Sequence, residues 1–220
     1  MKHLPRGEHA LHPLLLALLL LILVVKPLVD LDLLPAFAMA IGLQAVILAG
    51  LFCLDQAANR TRHLTLVAVL SALGVQGLAL GASGTAPGLF AAGAAALALG
   101  MLIAAILRQV FAAGHITFRR IEGAIAAYLL IGLVFACLYD LLHGLAPAAF
   151  LHHGEPARTG EQVGSYLFFS FVTLTTTGYG DIVPVHPVAR SLALLEALTG
   201  QLYLAILLAR LVSLQIASRQ

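Results

Sequence analysis

The chain has 220 residues, of which 61% are hydrophobic and only 10% are charged, and its formal net charge is +2. An ordinary soluble domain has about a quarter of its residues charged, so this composition and a mean hydropathy of +1.00 exclude that class. The small net charge, without a basic and aromatic stripe, argues against a nucleic-acid partner. Most of the apolar surface must therefore face lipid or other helices in a membrane.

Six stretches are predicted to be transmembrane helices, which need roughly 17–25 mostly apolar residues. They cover residues 12–29, 33–54, 64–81, 88–107, 121–142 and 188–212. Lys26 interrupts the first stretch, and we expect its amine to reach the interface so that the helix continues. The N-terminus is also similar to a signal peptide, but its small-residue pairs lie inside the next apolar run, so we expect no cleavage.

The basic residues are distributed unevenly between the two sides of these spans, and the positive-inside rule predicts the orientation of the chain from this distribution. With the N-terminus inside, nine basic residues lie on the inner side: Lys2, Arg6, Arg60, Arg62, Arg108, Arg119, Arg120, Arg210 and Arg219. Three lie on the outer side: Lys26, Arg158 and Arg190. Both termini are therefore predicted to be cytoplasmic, in a multi-pass protein of the cell (inner) membrane.

The most specific pattern is Thr-Thr-Gly-Tyr-Gly-Asp at residues 176–181, between the fifth and sixth spans. A Thr-x-Gly-Tyr-Gly loop is the arrangement in which backbone carbonyls replace the water shell of a potassium ion. The preceding residues, 164–175, are too few to cross a bilayer and predict a re-entrant helix. Its carbonyl end would favour cations, and irregular backbone at membrane depth is tolerated where it lines an aqueous path.

Residues 121–212 resemble the pore module of the tetrameric potassium channel superfamily, and the preceding four spans make the chain similar to bacterial six-span members. The resemblance rests on residues 173–181, Pro184 and a glycine in the middle of the last span. It implies an all-α integral membrane fold with six transmembrane helices, and a re-entrant pore helix and selectivity filter between helices five and six. The channel would assemble as a homotetramer, because one chain supplies one loop.

The same resemblance divides the chain into five regions. They are a cytoplasmic N-terminus (1–11), a four-span domain similar to a degenerate voltage sensor (12–107), a linker (108–120), the pore domain (121–212) and a cytoplasmic tail (213–220). The linker is expected to be either an interfacial amphipathic helix or a short loop with solvated charges.

Potassium coordination is assigned by resemblance to the filter loop, with K⁺ as the bound permeant ion and no other cofactor. The filter residues are Thr176, Thr177, Gly178, Tyr179 and Gly180, of which the first four would present carbonyls to the ion. Gly178 and Gly180 allow backbone conformations that a Cβ resists. Asp181 would concentrate cations at the outer mouth.

The chain departs from the family pattern in its pore helix, where many members carry tryptophan. Phe168 and Phe169 occupy those places, and phenylalanine donates no hydrogen bond. Support for the tyrosine and aspartate of the filter is therefore expected from Ser170, from Thr173 or from a neighbouring chain. A filter supported in this way is expected to inactivate readily.

The last span carries the remaining candidate residues. Gly200 would act as a gating hinge or as a site of close helix packing, and both interpretations stay open. By resemblance, Gln201, Leu204 and Leu208 would face the cavity, and Leu208 with Val212 would form an apolar gate.

An acid inside a span is expensive, and Glu196 is therefore a candidate functional residue. We expect its carboxyl group to support the filter by bonding pore-helix hydroxyls such as Ser170 or Thr173. Ion coordination and proton sensing are the alternatives.

The predicted function is passive, potassium-selective conduction with little intrinsic voltage dependence, because residues 88–107 contain no Arg or Lys and Arg108 stands alone. Histidines at 143, 152, 153 and 186 are expected to be solvated loop residues. The alternatives are a non-selective cation channel and a non-conducting regulatory subunit. No nucleophile, metal or phosphate-binding pattern indicates an enzyme. The expected partners are other copies of the chain and the bilayer, with an unidentified regulatory subunit left open.

Overall fold

The computed structural model describes residues 11–53, 85–111, 118–156 and 165–217, together with positions 70, 74 and 77. Its helices are α1 (His12–Asp30), α2 (Phe37–Cys53), α3 (Thr85–Val110), α4 (Phe118–Leu145), α5 (Ser165–Leu174) and α6 (Pro187–Ala217). A short 3₁₀ turn, Pro147–Ala149, leads into the strands β1 (Phe150–His152), β2 (Glu155–Pro156) and β3 (Ile182–Pro184).

Five of the predicted spans coincide with helices of the described residues. Four helical stretches are long and apolar enough to cross a membrane: His12–Asp30, Ala86–Val110, Arg120–Leu145 and Pro187–Arg210. Helix α2 is apolar but shorter, at 17 residues. The predicted third span, 64–81, lies almost wholly outside the described residues, so the total of six spans stays a prediction. The described part of the chain is mostly helical.

Helix α1 passes through its basic residue without ending. The segment Leu21–Val25 is a π-helical turn, and Pro27 follows it. Because proline has no backbone N–H, a wider turn before it is a common way to keep a helix continuous. The side chain of Lys26 is largely buried and forms an ion pair with Asp30, one turn further along.

Helix α4 lies at the centre of the packing. Helix α3 runs along it, α1 contacts both α2 and α4, and α5 lies between α4 and α6. Small residues permit these close approaches, as membrane helix packing requires. A Cβ added to Gly123 of α4 would lie 2.9 Å from a methyl group of Leu11, and one added to Gly132 would lie 2.8 Å from the ring of Phe171.

A small antiparallel sheet, which the sequence analysis did not anticipate, lies beside the filter loop in the order β2-β1-β3. The β1–β2 turn has positive φ at His153 (51°) and Gly154 (87°), as a two-residue hairpin turn of type I′ requires. Strand β3 begins immediately after the candidate filter and pairs with β1, with Leu151 opposite Val183. The sheet therefore fixes the chain where it leaves the filter.

The ends of the predicted linker belong to helices. Helix α3 continues to Val110 and α4 begins at Phe118, whereas residues 112–117 lie outside the described part of the chain. The interfacial helix stays a prediction.

Candidate functional site

The candidate filter begins where the short helix α5 ends. Residues 175 and 176 form a turn, in which the N–H of Thr176 donates to the carbonyl of Thr173 (2.9 Å). The N–H of Thr177 donates to the carbonyl of Val172 (2.8 Å). These bonds use the carbonyls that a helix leaves without partners at its C-terminus, so the turn is built into the helix end.

Beyond the turn, the backbone alternates in the sign of φ. Thr176, Gly178 and Gly180 have φ of 56°, 62° and 80°, whereas Thr177 and Tyr179 are not in this region. Paired residues of opposite handedness turn successive N–H groups to one side, and their carbonyls to the other. A β-branched residue rarely adopts positive φ, so Thr176 holds a strained conformation of the kind found at functional sites.

The threonine side chains at the base of the filter are tied to their surroundings. Thr175 Oγ1 donates to the carbonyl of Phe171 (2.7 Å) and lies 2.9 Å from Thr177 Oγ1. The hydroxyl oxygen of Thr176 accepts a hydrogen bond from Gln201 Nε2 of α6 (3.1 Å). The deepest residue of the filter is therefore joined to the last helix.

The two phenylalanines that replace the expected tryptophans have different surroundings. Phe168 lies parallel to the ring of Tyr179, with centroids 5.9 Å apart, whereas Phe169 is buried with Tyr139 (4.9 Å) and Phe150 (5.9 Å). Offset ring stacking contributes about 0.5–1.5 kcal/mol beyond burial. Tyr179 is thus braced by packing within its own chain, and 70% of it remains exposed there.

The outer end of the filter is held through its backbone. The carbonyl of Asp181 accepts from the N–H of His153 (3.0 Å), and the side chain of Arg190 donates to the carbonyl of Pro184 (3.2 Å). In the described part of the chain, no hydrogen bond connects Ser170 or Thr173 to the side chains of Tyr179 or Asp181. Within one chain, the sheet therefore fixes the backbone of Asp181, and a donor from a neighbouring chain stays a prediction.

A buried carboxyl group connects the three helices around the filter. Glu196 of α6 is fully buried and accepts a hydrogen bond from Tyr139 of α4 (2.6 Å). Its other oxygen lies 2.5 Å from the hydroxyl of Ser170 in α5. Ser170 also lies 2.7 Å from the carbonyl of Gly132 in α4. Of the two hydroxyls named from sequence, Glu196 therefore bonds Ser170, and the structure adds Tyr139.

The number of protons in this network favours a neutral acid. The hydroxyl of Ser170 has a single proton, and the carbonyl of Gly132 can only accept it. If Ser170 donates that proton to Gly132, its short contact with Glu196 is a hydrogen bond only when the carboxyl group is protonated and donates to the Ser170 oxygen. With Tyr139 donating to the second oxygen, every contact is satisfied, which a group fully removed from water requires.

Gly200 lies where α6 crosses the end of α5. A Cβ at this position would lie 2.1 Å from the carbonyl oxygen of Leu174, which is a backbone atom. The structure therefore supports the packing interpretation directly. Helix α6 continues through Gly200 without a break, and bending there stays a prediction.

The two faces of α6 are different. Glu196 and Tyr203 are buried on one face, where Tyr203 donates to the carbonyl of Ala124 (2.7 Å). The residues predicted to line a cavity and gate are exposed in the single chain: Gln201, Leu204, Leu208 and Val212. The sequence spacing of these four residues places them on one side of the helix.

The histidines do not form a common group. His143, expected in a solvated loop, lies within α4, is buried and contacts Tyr166 (5.6 Å between ring centroids), because α4 extends beyond its predicted end. His152 and His153 lie side by side, and His186 accepts from the N–H of Val188 at the start of α6. In the described ranges, no cluster of three or more His, Cys, Asp or Glu residues suits a metal ion.

Comparison with known proteins shows what the C-terminal part of the chain is similar to. A family model described as "Ion channel" matches residues 123–216, which include α5, the filter loop and nearly all of α6. The resemblance to the tetrameric potassium channel superfamily is therefore confirmed for the C-terminal part of the chain. Together with the apolar helices, it indicates a multi-pass membrane protein. The matched description is that of an ion channel, which favours the expectation that the chain is not an enzyme.

Two potassium channels are similar to part of this chain. The inward rectifier potassium channel Kirbac3.1 of Paramagnetospirillum magnetotacticum is 42% identical over 72 residues, or 31% of this chain and 24% of that protein. A voltage-gated potassium channel of Aeropyrum pernix is 31% identical over 65 residues, or 30% of this chain and 22% of that protein. The chain thus matches about a quarter of each relative's length. No solved structure gives a significant match.

We predict that Glu196→Gln preserves the stability of the protein, whereas Glu196→Ala lowers it. Glutamine reproduces a neutral acid, since its carbonyl accepts from Tyr139 and its amide donates to Ser170. Alanine removes the acceptor of the Tyr139 hydroxyl and leaves a cavity, which costs about 2–5 kcal/mol, while Ser170 keeps its bond to the carbonyl of Gly132. Thermal unfolding in detergent, followed by circular dichroism, measures the difference. Glu155→Gln, at an exposed acid, is the control, and equal damage from both Glu196 variants would contradict the neutral carboxyl group.

We predict that Gly200→Ala lowers thermal stability, even though alanine favours a helix by up to about 1 kcal/mol over glycine. The added methyl group must displace the carbonyl of Leu174, and such overpacking costs about 1–3 kcal/mol or more. Thr199→Ala, which removes a hydroxyl bonded within its own helix, is the neighbouring control. If Gly200→Ala unfolds at the wild-type temperature and changes channel opening alone, the glycine is a hinge and not a packing site.

Proposed function

We propose that this chain forms a homotetrameric, potassium-selective channel of the cell membrane that conducts K⁺ passively. The observation that carries the proposal is the alternating backbone of residues 176–180, which follows a short helix and precedes the long helix α6. Such a backbone turns a row of carbonyls to one side, where they can replace the water around a cation.

The backbone of the filter supports the tetramer more strongly than the apolar side chains do. Within the described residues, no backbone N–H donates to the carbonyls of residues 176–180. Lipid can cover apolar side chains, but unpaired carbonyls at membrane depth must face water, ions or protein. Four copies around an axis would give these carbonyls a shared ion path.

The burial of α6 agrees with this assembly. In the single chain, 11% of the most apolar 18-residue stretch of α6 is buried, whereas 56% of the corresponding stretch of α4 is buried. Helix α6 nevertheless lies next to the filter, where Gly200 contacts Leu174 and Gln201 contacts Thr176. We propose that other copies cover part of this surface and that Gln201, Leu204, Leu208 and Val212 line the cavity and gate.

The ion would be held by the carbonyls of Thr176, Thr177, Gly178 and Tyr179 and by the hydroxyl of Thr176, with Gly180 completing the filter. Asp181, at the outer end, would attract cations. The proposal places both termini in the cytoplasm, as the distribution of basic residues predicts.

We propose little intrinsic voltage dependence for this channel. Helix α3 carries one basic residue, Arg108, in its last turn. Moving one charge through the membrane field supplies about 2.3 kcal/mol per 100 mV, and steep voltage dependence needs several such charges in each subunit.

We predict potassium flux without sodium flux when the purified protein is reconstituted into liposomes. Each cation is tested as the only permeant ion, and barium, a divalent ion of similar size to K⁺, should block the flux. A Gly178→Asp variant, which forces a charged side chain onto a residue with positive φ, should abolish it.

Equal fluxes of the two cations would mean that the filter has lost its selectivity and that the chain is a non-selective cation channel. A tetramer that passes neither ion under any tested pH or potential would favour a non-conducting regulatory subunit. A monomer or dimer in detergent and in lipid would contradict the proposal altogether.

A further inference from the structure

Gln201 and Gly200 contact the first turn of the filter from the same point on α6. Gly200 packs against the carbonyl of Leu174, and Gln201 donates through Nε2 to the hydroxyl oxygen of Thr176. Consecutive residues of one helix thus contact both ends of the turn from which the filter starts. Within the described chain, no other side-chain hydrogen bond connects α6 to residues 176–180.

We propose that Gln201 is a positioning residue that keeps the innermost cation site weak by occupying one lone pair of the Thr176 hydroxyl oxygen. This inference rests on the proposed function, since it concerns the deepest ring of the same ion path. The ligand class is a potassium-sized cation that arrives from the cavity side.

The chemistry of a hydroxyl group explains the effect. The oxygen of Thr176 has two lone pairs and one proton. The N–H of Gln201 uses one lone pair, which leaves a single lone pair for an ion. Hydrogen-bonded chains also polarise their members, so an oxygen that accepts a bond is a stronger donor and a poorer acceptor for a second partner.

A weak innermost site suits conduction. Ions must bind well enough to enter a filter and weakly enough to leave it. The hydroxyl of Thr176 would be the first protein ligand for an ion that enters from the cavity. Four free hydroxyls would hold a divalent cation tightly there, whereas four hydroxyls that each accept an amide bond would release it.

The same bond also stabilises the backbone of Thr176. Its φ of 56° is unfavourable for a β-branched residue, and such a conformation costs on the order of 1–3 kcal/mol. A side-chain contact from a neighbouring helix offsets part of that cost. Gln201 therefore holds the hydroxyl in place while it occupies the oxygen.

Barium binding to the purified, full-length protein in detergent, measured by isothermal titration calorimetry, tests this inference. Gln201→Met has nearly the same length but donates no hydrogen bond. We expect it to bind barium at least about fivefold more tightly, because one hydrogen bond of ordinary net strength corresponds to about fivefold and a tetramer would lose four. Thr199→Val, the matched control, removes a hydroxyl that among the described residues bonds only the carbonyl of Leu195, and it should leave barium affinity unchanged.

A double-mutant cycle separates positioning from a general structural effect. In a Thr176→Ala background the hydroxyl is gone, so Gln201→Met should no longer change barium affinity. An equal change in both backgrounds would show that Gln201 acts elsewhere and would overturn the proposal. Weaker barium binding in Gln201→Met alone would also overturn it, because Gln201 would then strengthen the innermost site.

The outcome is separable from that of the proposed function. Calorimetry needs no ion flux, so a wild-type protein that binds barium and responds to Gln201→Met would support this role even if the liposomes conduct nothing. Potassium flux in liposomes, with barium affinity unaffected by Gln201→Met, would leave the channel function intact and refute the role of Gln201. Absence of barium binding in both the wild-type protein and Gln201→Met would refute it as well.

Discussion

The arrangement around the filter depends on one buried carboxyl group. Glu196 lies in α6, is removed from solvent and contacts hydroxyls of α4 and α5. An ionised carboxyl group in this position would require compensation, and the described residues place no cation within ion-pair distance. As a neutral acid it both accepts and donates, so one side chain fixes the spacing of three helices. The filter loop begins at the end of one of these helices and inherits its position from them.

The contacts of α6 link the filter to the helix that would form the gate. The carbonyl of Leu174 touches Gly200, and the hydroxyl of Thr176 accepts from Gln201. Since Glu196 is bonded to Ser170 of α5 one turn earlier, this part of α6 is attached both to α5 and to the start of the filter loop. Bending of α6 that opens the gate is expected to start on the C-terminal side of Gln201, or else to disturb the filter. The outer sheet holds the opposite end of the loop in place.

The sequence predicts the helices and the filter because both depend on local patterns. Apolar runs defined the spans, and the glycines at 178 and 180 lie where the backbone has positive φ. The contact of Ser170 with Glu196 could be predicted from the sequence because few nearby groups can form a hydrogen bond with a buried acid. Tyr139 was missed, since its contact with Glu196 depends on how two distant helices rotate about their axes. The stacking of Phe168 on Tyr179 was missed because it depends on the path of the loop that follows α5. The sheet was missed because its strands have only two or three residues, although His153-Gly154 is a recognisable hairpin turn.

The most direct test is to measure whether the carboxyl group of Glu196 is protonated at neutral pH. Infrared spectroscopy distinguishes the C=O stretch of a neutral carboxyl group from the bands of a carboxylate. The difference spectrum between the wild-type protein and Glu196→Gln isolates this residue among the other acids. Loss of a neutral carboxyl band in the variant is the result predicted by the proton count. Loss of carboxylate bands would show that Glu196 is ionised and would contradict the hydrogen-bond network that connects α4, α5 and α6 around the filter.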